Sequence, residues 1–126
     1  MVTVTFNGHD ECLDSIEEFG AALDRLDAHP KFELWLNAES GVAMSMLRNG
    51  EHAFLMYLRF EGDSRFVSRG SETGDPVRYT LSNGQVDEYP RSCCVPIETC
   101  YQALAYFFVN GGMRPEWVAW VESSEQ

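Results

Sequence analysis

The apolar positions of the chain change period several times, and each change marks an element. Val2, Val4 and Phe6 alternate with Thr3 and Thr5, which predicts a short strand ending at Asn7-Gly8. Over residues 15–28 the period becomes helical, with Ile16, Phe19, Leu23 and Leu26 recurring at steps of three, four and three. Ser15 and Glu18 stand at capping-box spacing, Leu13 is placed to add a staple, and Pro30 ends the helix near Ala28. Gly20 inside this helix costs ~1 kcal/mol relative to alanine. Period two then returns. Phe32, Leu34 and Leu36 share one strand face with Trp35 on the other, Ser40-Gly41 turns the chain, and Val42–Leu47 runs to a hairpin turn at Asn49-Gly50. Residues 53–60 form the longest apolar run, and both of its faces are largely apolar. That describes a central strand covered on two sides, or a strand with one face left open for a partner.

After Glu61-Gly62-Asp63, Phe66-Val67-Ser68 reads as a short strand, and the polar loop 69–76 reads as a hairpin connection to the alternating strand Val77–Leu81. Ser82-Asn83-Gly84 turns the chain back through Gln85–Tyr89, which Pro90 closes. A second helix opens at Pro96, with Ile97, Cys100, Tyr101, Leu104, Phe107 and Phe108 on its apolar side, and ends at Asn110-Gly111-Gly112. Residues 117–121 read as a final strand, with Trp117, Ala119 and Val121 on one face. Strands and helices do not alternate throughout, so a doubly wound parallel sheet is disfavoured. The expected fold is α+β: one domain over residues 1–126, a curved, mainly antiparallel sheet with two helices packed on it.

Charge changes the picture of function. The chain has 126 residues, 20 acidic against 9 basic, and a formal net charge of −11. A folded chain of this mass exposes roughly 6,800 Å², about one excess negative charge per ~600 Å². Phosphate binding needs clustered basic residues, and the single lysine, Lys31, and scattered arginines do not supply them. Direct contact with nucleic acid or an anionic membrane is therefore not expected. No apolar run is long enough to span a bilayer, and the first residues lack a signal-peptide pattern, so a cytoplasmic address is the expectation. In that compartment Cys12, Cys93, Cys94 and Cys100 are expected to be free thiols.

No catalytic set stands out. His9, His29 and His52 lie far apart without ligand spacing, and His9-Asp10-Glu11-Cys12 reads as a turn with solvated side chains, so neither a metal nor a cofactor is expected. Cys93-Cys94 precedes a helix beside Arg91, where a thiol pKa can fall, but no base or orienting group accompanies it. Gly70-Ser71-Glu72-Thr73-Gly74 lacks the Gly-Lys-Ser/Thr ending of a phosphate loop.

The second half carries a pattern of its own. Phe66-Val-Ser-Arg-Gly-Ser-Glu-Thr-Gly-Asp75 is followed by Tyr79, the Asn83-Gly84 turn and Val95-Pro96 opening a helix. Asn110-Gly-Gly-Met-Arg-Pro115 and Trp117-Val-Ala-Trp-Val-Glu122 complete it. In order and spacing this resembles the deaminase-inhibitor immunity proteins of bacterial polymorphic toxin systems, the family known as immunity protein one, most clearly over 66–122. The resemblance implies a non-enzymatic protein that binds and inhibits a cognate nucleic-acid deaminase toxin. Such a toxin must present a basic surface near its substrate, which an acidic inhibitor can approach with electrostatic steering. An interface of ~800 Å² per partner holds only one or two of the excess charges at average density, so steering requires clustering and tight binding requires an apolar centre. The candidate partner-binding residues are Glu61, Asp63, Glu72, Asp75, Asp87 and Glu88. The Gly-Gly-x-Arg-Pro turn reads as a fold determinant in which Arg114 pairs with a helix C-terminus or a carboxylate. A small cysteine-dependent enzyme and a generic ligand-binding or scaffold domain are the competing readings.

Overall fold

A computed structural model describes residues 2–122. The elements in chain order are β1 (Val2–Phe6), β2 (His9–Cys12), α1 (Ile16–Leu26), β3 (Lys31–Ala38), β4 (Ala43–Asn49), β5 (His52–Leu58), β6 (Phe66–Ser68), β7 (Val77–Thr80), β8 (Val86–Tyr89), α2 (Ile97–Val109) and β9 (Trp120–Glu122). Seven strands form one open sheet in the order β2-β1-β3-β4-β5-β6-β9, and β7-β8 form a second, two-stranded sheet. Every pairing is antiparallel. The α+β reading holds.

Three layers follow from strand alternation. Phe32, Leu34 and Leu36 of β3, Met44 and Met46 of β4, and Ala53, Leu55 and Tyr57 of β5 face the helices, where Phe19, Leu23, Leu104 and Phe107 complete a core. The intervening residues face the other way. Leu47, Phe54 and Met56 pack under Val77 and Tyr79 of the small sheet, with Trp35, Leu58 and Tyr89 at the margin. Burial on both faces explains the unbroken apolar run of β5. The small sheet also changes the reading of loop 69–76: β6 pairs with β5 and β9, and β7 pairs with β8 alone. The loop is thus a crossover between layers, not a hairpin connection.

Two other expectations change. His9–Cys12 is an edge strand paired along β1, not a turn. The last strand begins at Trp120, so Trp117 lies in the preceding turn, 52% exposed and edge-on to Tyr106. Helix α1 forms as its sequence dictates. The Ser15 Oγ accepts the Glu18 N–H at 3.1 Å, and Glu18 Oε1 accepts the N–H of Asp14 at 2.8 Å, one residue earlier than in a capping box. A Cβ on Gly20 would meet nothing within 4 Å. Gly20→Ala is therefore expected to raise stability by about 0.5–1 kcal/mol, read as an increase in Tm.

Candidate functional site

The small sheet covers only part of the second face of the main sheet. Where that cover stops, Trp35 and Asn37 of β3, Ala43 of β4 and Leu58 of β5 floor a cleft of about 410 Å³, with Phe60, Glu61 and Gly62 on its rim. The covered and the open readings of the central apolar run thus apply to its two ends. Hydrogen bonds brace both the wall and the rim. The Trp35 Nε1–H donates to Glu33 Oε2 at 2.8 Å, and Glu33 Oε1 accepts the Ser82 N–H at 2.9 Å, tying the β7-β8 turn to the cleft wall. Burial opposes ionisation of Glu33, but those hydrogen bonds prevail and hold its carboxyl below the usual range. On the rim, the Asp63 N–H donates to the Phe60 carbonyl at 3.1 Å and Gly62 takes φ +86°, a turn that favours glycine at this position. Asp63 accepts from Arg59 Nε and Nη2, each at 2.9 Å, and from the Arg59 backbone N–H at 2.9 Å. Phe60 is left 54% exposed on this braced turn, beside the Arg59 guanidinium.

The Arg59 hydrogen bonds hold the Asp63 carboxyl far below the usual carboxylate range. A depressed folded-state pKa contributes stability that is fully present above the unfolded value near ~4 and disappears as pH falls toward the folded value. Asp63→Asn is therefore expected to lower Tm at pH 7 by more than it does at pH 3, measured by thermal melts of both proteins.

The six acidic candidates fall into two groups. Glu61 and Asp63 follow the end of β5, and Asp63 is the one whose side chain is buried and committed to Arg59. Glu72 and Asp75 in the crossover loop and Asp87 and Glu88 in β8 lie toward the other end, where Glu72 approaches His52 at 3.6 Å. The length of β5, about 20 Å at strand rise, separates Glu61 from Glu72. Glu72 also lies 3.7 Å from Arg91, Glu88 pairs with Arg78 at 2.9 Å, and Asp87 accepts from Gln85 at 2.7 Å. The Asp75 carbonyl accepts from Arg91 Nε at 2.8 Å. Glu72 and Glu88 line a second cavity of about 350 Å³ with Tyr89 and Arg91.

The residues that carry the C-terminal pattern have structural roles. Ser68 Oγ accepts the Leu55 N–H at 3.0 Å and donates to the Cys93 carbonyl at 2.8 Å. Gly70 N–H donates to the Ser92 carbonyl at 2.7 Å, and a Cβ at Gly70 would lie 1.8 Å from the Cys94 carbonyl oxygen. Strand β6 and the loop after it are thereby fastened to the segment that opens α2. At the other end of that helix Gly112 takes φ +111°, its carbonyl accepts the Tyr57 hydroxyl at 3.0 Å, and a Cβ there would sit 3.0 Å from that of Ala38. The Pro115 carbonyl accepts from Trp120 Nε1 at 2.9 Å. Arg114 pairs with neither a helix terminus nor a carboxylate among the described residues. Its guanidinium lies over Phe66 at 4.6 Å, Tyr57 at 5.7 Å and Trp120 at 5.8 Å, because three rings converge where those groups were expected.

The four cysteines are free thiols; Cys12 is exposed, and Cys93, Cys94 and Cys100 are buried. Burial pushes all three buried thiols up, the opposite of the shift that activates a nucleophile. Proximity to the α2 N-terminus does not overcome desolvation. Among the described residues, no helix is long and apolar enough to cross a membrane.

Fold and site together define a small, open-sheet α+β protein whose clefts are surface features and whose pattern residues serve mainly to brace loops. Within that class the chain belongs to the immunity protein Imm1 family, whose model matches residues 7–122. The match bears out the resemblance seen in the second half and extends it back to Asn7, through β2 and α1. It assigns the chain an immunity role and implies a toxin as partner. No curated protein sequence matches the chain.

Proposed function

We propose that the protein binds and inhibits a cognate nucleic-acid deaminase toxin, using the Phe60–Asp63 turn and its adjoining cleft as the apolar centre of the interface. The observation that carries this reading is the braced turn itself. A large aromatic side chain is left exposed at the edge of an apolar cleft, on a turn braced by interactions internal to the protein, so little loop entropy is lost on binding. In the resemblance to deaminase inhibitors, the toxin carries a basic substrate surface, which suits a chain of net charge −11.

The acidic residues then divide by task. Glu61 borders the apolar centre, while Glu72, Asp75, Asp87 and Glu88 lie toward the other end and add to the field at longer range, with Glu72 and Glu88 partly offset by Arg91 and Arg78. Asp63 acts through the turn that it braces and is a positioning residue. Tight binding comes from the buried centre, whereas the rim carboxylates set association rate and salt dependence. The protein engages the toxin rather than its nucleic acid, needs no cofactor for this, and performs no chemistry.

Co-expression with the deaminase toxin domain encoded beside the chain tests the proposal. Protection of the host cell with recovery of a stoichiometric complex is the expected result. Undiminished killing with no complex on gel filtration would overturn it.

A further inference from the structure

The fold brings together three metal-ligating side chains that are far apart in sequence: His52 at the start of β5, Glu72 in the crossover loop and Cys94 before α2. Their ligand atoms all lie within 4.8 Å of one another. His52 Nδ1 is buried without a hydrogen-bond partner and faces Glu72 Oε1 at 3.6 Å, too far for a hydrogen bond. Tetrahedral zinc bonds of 2.0–2.3 Å place ligand atoms roughly 3.3–3.8 Å apart, so the His52–Glu72 spacing already fits. We propose that His52, Glu72 and Cys94 form a zinc-class binding site that joins the crossover loop to β5 and to the segment opening α2. The proposal is independent of the toxin reading.

The donor set points to the metal. One imidazole nitrogen, one thiolate and one carboxylate suit a borderline-soft cation such as Zn2+, while Mg2+ and Ca2+ require oxygen donors throughout. Three protein ligands leave one coordination position for water or a fourth donor. Glu72 is partly exposed, and Glu72 and Cys94 both line a cavity of about 440 Å³, which supplies an entry path.

The surrounding charges set the affinity. Arg91 Nη1 lies 3.4 Å from His52 Nε2 and 3.7 Å from Glu72 Oε1. A guanidinium can only donate, so in the ion-free protein Nε2 accepts and Nδ1 carries the ring hydrogen. Coordination through Nδ1 moves that hydrogen to Nε2 and turns the Arg91 N–H away. The Cys94 thiol, 3.4 Å from the Tyr79 hydroxyl, releases its proton to solvent as the metal–sulfur bond forms. Arg91 opposes both the cation and the required tautomer, so the site is expected to bind more weakly than a closed structural zinc site.

Cobalt titration of the reduced full-length protein tests this. The expected result is one equivalent bound, with the visible bands of four-coordinate cobalt and a near-ultraviolet thiolate-to-cobalt charge-transfer band, both displaced by Zn2+. His52→Gln and Glu72→Gln, at partly exposed positions, are expected to weaken zinc binding by at least about tenfold in chelator competition while leaving Tm without metal nearly unchanged. Arg91→Gln is expected to tighten it about tenfold, which a merely structural role for Arg91 would not produce. Cys12→Ser must leave the charge-transfer band intact, and Cys94→Ser must abolish it. Absence of that band, its loss with Cys12 instead of Cys94, or unchanged affinity in the His52 and Glu72 variants would overturn the proposal.

Discussion

Gly70→Ala is expected to lower stability by about 3–5 kcal/mol, a Tm decrease of about 10–20 °C in thermal unfolding. The cause is space. The new Cβ would lie 1.8 Å from the Cys94 carbonyl oxygen and 3.0 Å from its carbonyl carbon, and both are backbone atoms that cannot swing aside. Relief requires the loop after β6 to separate from the segment before α2. That separation breaks the Gly70–Ser92 hydrogen bond and strains the neighbouring Ser68 bridge between Leu55 and Cys93. The Leu55 N–H and the Ser68 hydroxyl are buried, so each group left unpaired adds about 1–3 kcal/mol. Native stability is typically 5–15 kcal/mol, so this one methyl group removes a large part of it. A Tm within about 3 °C of wild type would show that the two segments do not need this close approach.

The second large effect concerns binding. Phe60→Asp is expected to weaken the toxin complex by about 2–4 kcal/mol, roughly 30- to 1,000-fold in Kd, with Tm of the free protein essentially unchanged. Folding loses little, because Phe60 is 54% exposed in the free protein. The complex loses its apolar anchor and gains a carboxylate that must be desolvated over the Trp35–Leu58 floor. Binding kinetics measured across salt concentrations separate this from Glu61→Lys, which is expected to slow association and reduce its salt dependence, with a smaller change in dissociation. Trp117 is the control. It is equally exposed, at 52%, but sits in the turn before β9. Wild-type affinity for Phe60→Asp together with a large loss for Trp117→Ala would move the interface to that end of the molecule.

Much of the fold was legible because its elements bury one or two clear stripes. The alternation in β1 and β3 matches the burial found, the helical period of α1 holds at Phe19, Leu23 and Leu26 but leaves Ile16 exposed at the first turn, and the apolar side of α2 is fully buried at Cys100, Leu104 and Phe107. Strand β2 was not legible, since His-Asp-Glu-Cys at a sheet edge buries almost nothing and so carries no alternation. Only the Asn7-Gly8 turn before it hinted at a hairpin. Strands β7 and β8 were readable as strands but not as a separate layer, because sheet membership depends on what Val77 and Tyr79 pack against. Arg114 illustrates the same limit: its neighbours in space are Phe66, Tyr57 and Trp120, none of them adjacent in sequence.

The candidate site was legible in its chemistry and not in its shape. Glu61 and Asp63 stand two residues apart, yet one borders the cleft and the other is consumed in holding Arg59. Backbone direction at Gly62 decides this, and composition does not. The cleft floor draws on Trp35, Ala43 and Leu58 from three strands, visible only once register places Ala43 opposite both Asn37 and Leu58. His52, Glu72 and Cys94 span three separate segments and show no ligand spacing along the chain.

The most direct measurement is deamination of a nucleic-acid substrate by the purified toxin domain, titrated with this protein. Activity is expected to fall linearly to zero at one equivalent, and Phe60→Asp to shift the titration to large excess. Full toxin activity at saturating wild-type protein, with no complex formed, would contradict the proposal that this chain inhibits a deaminase.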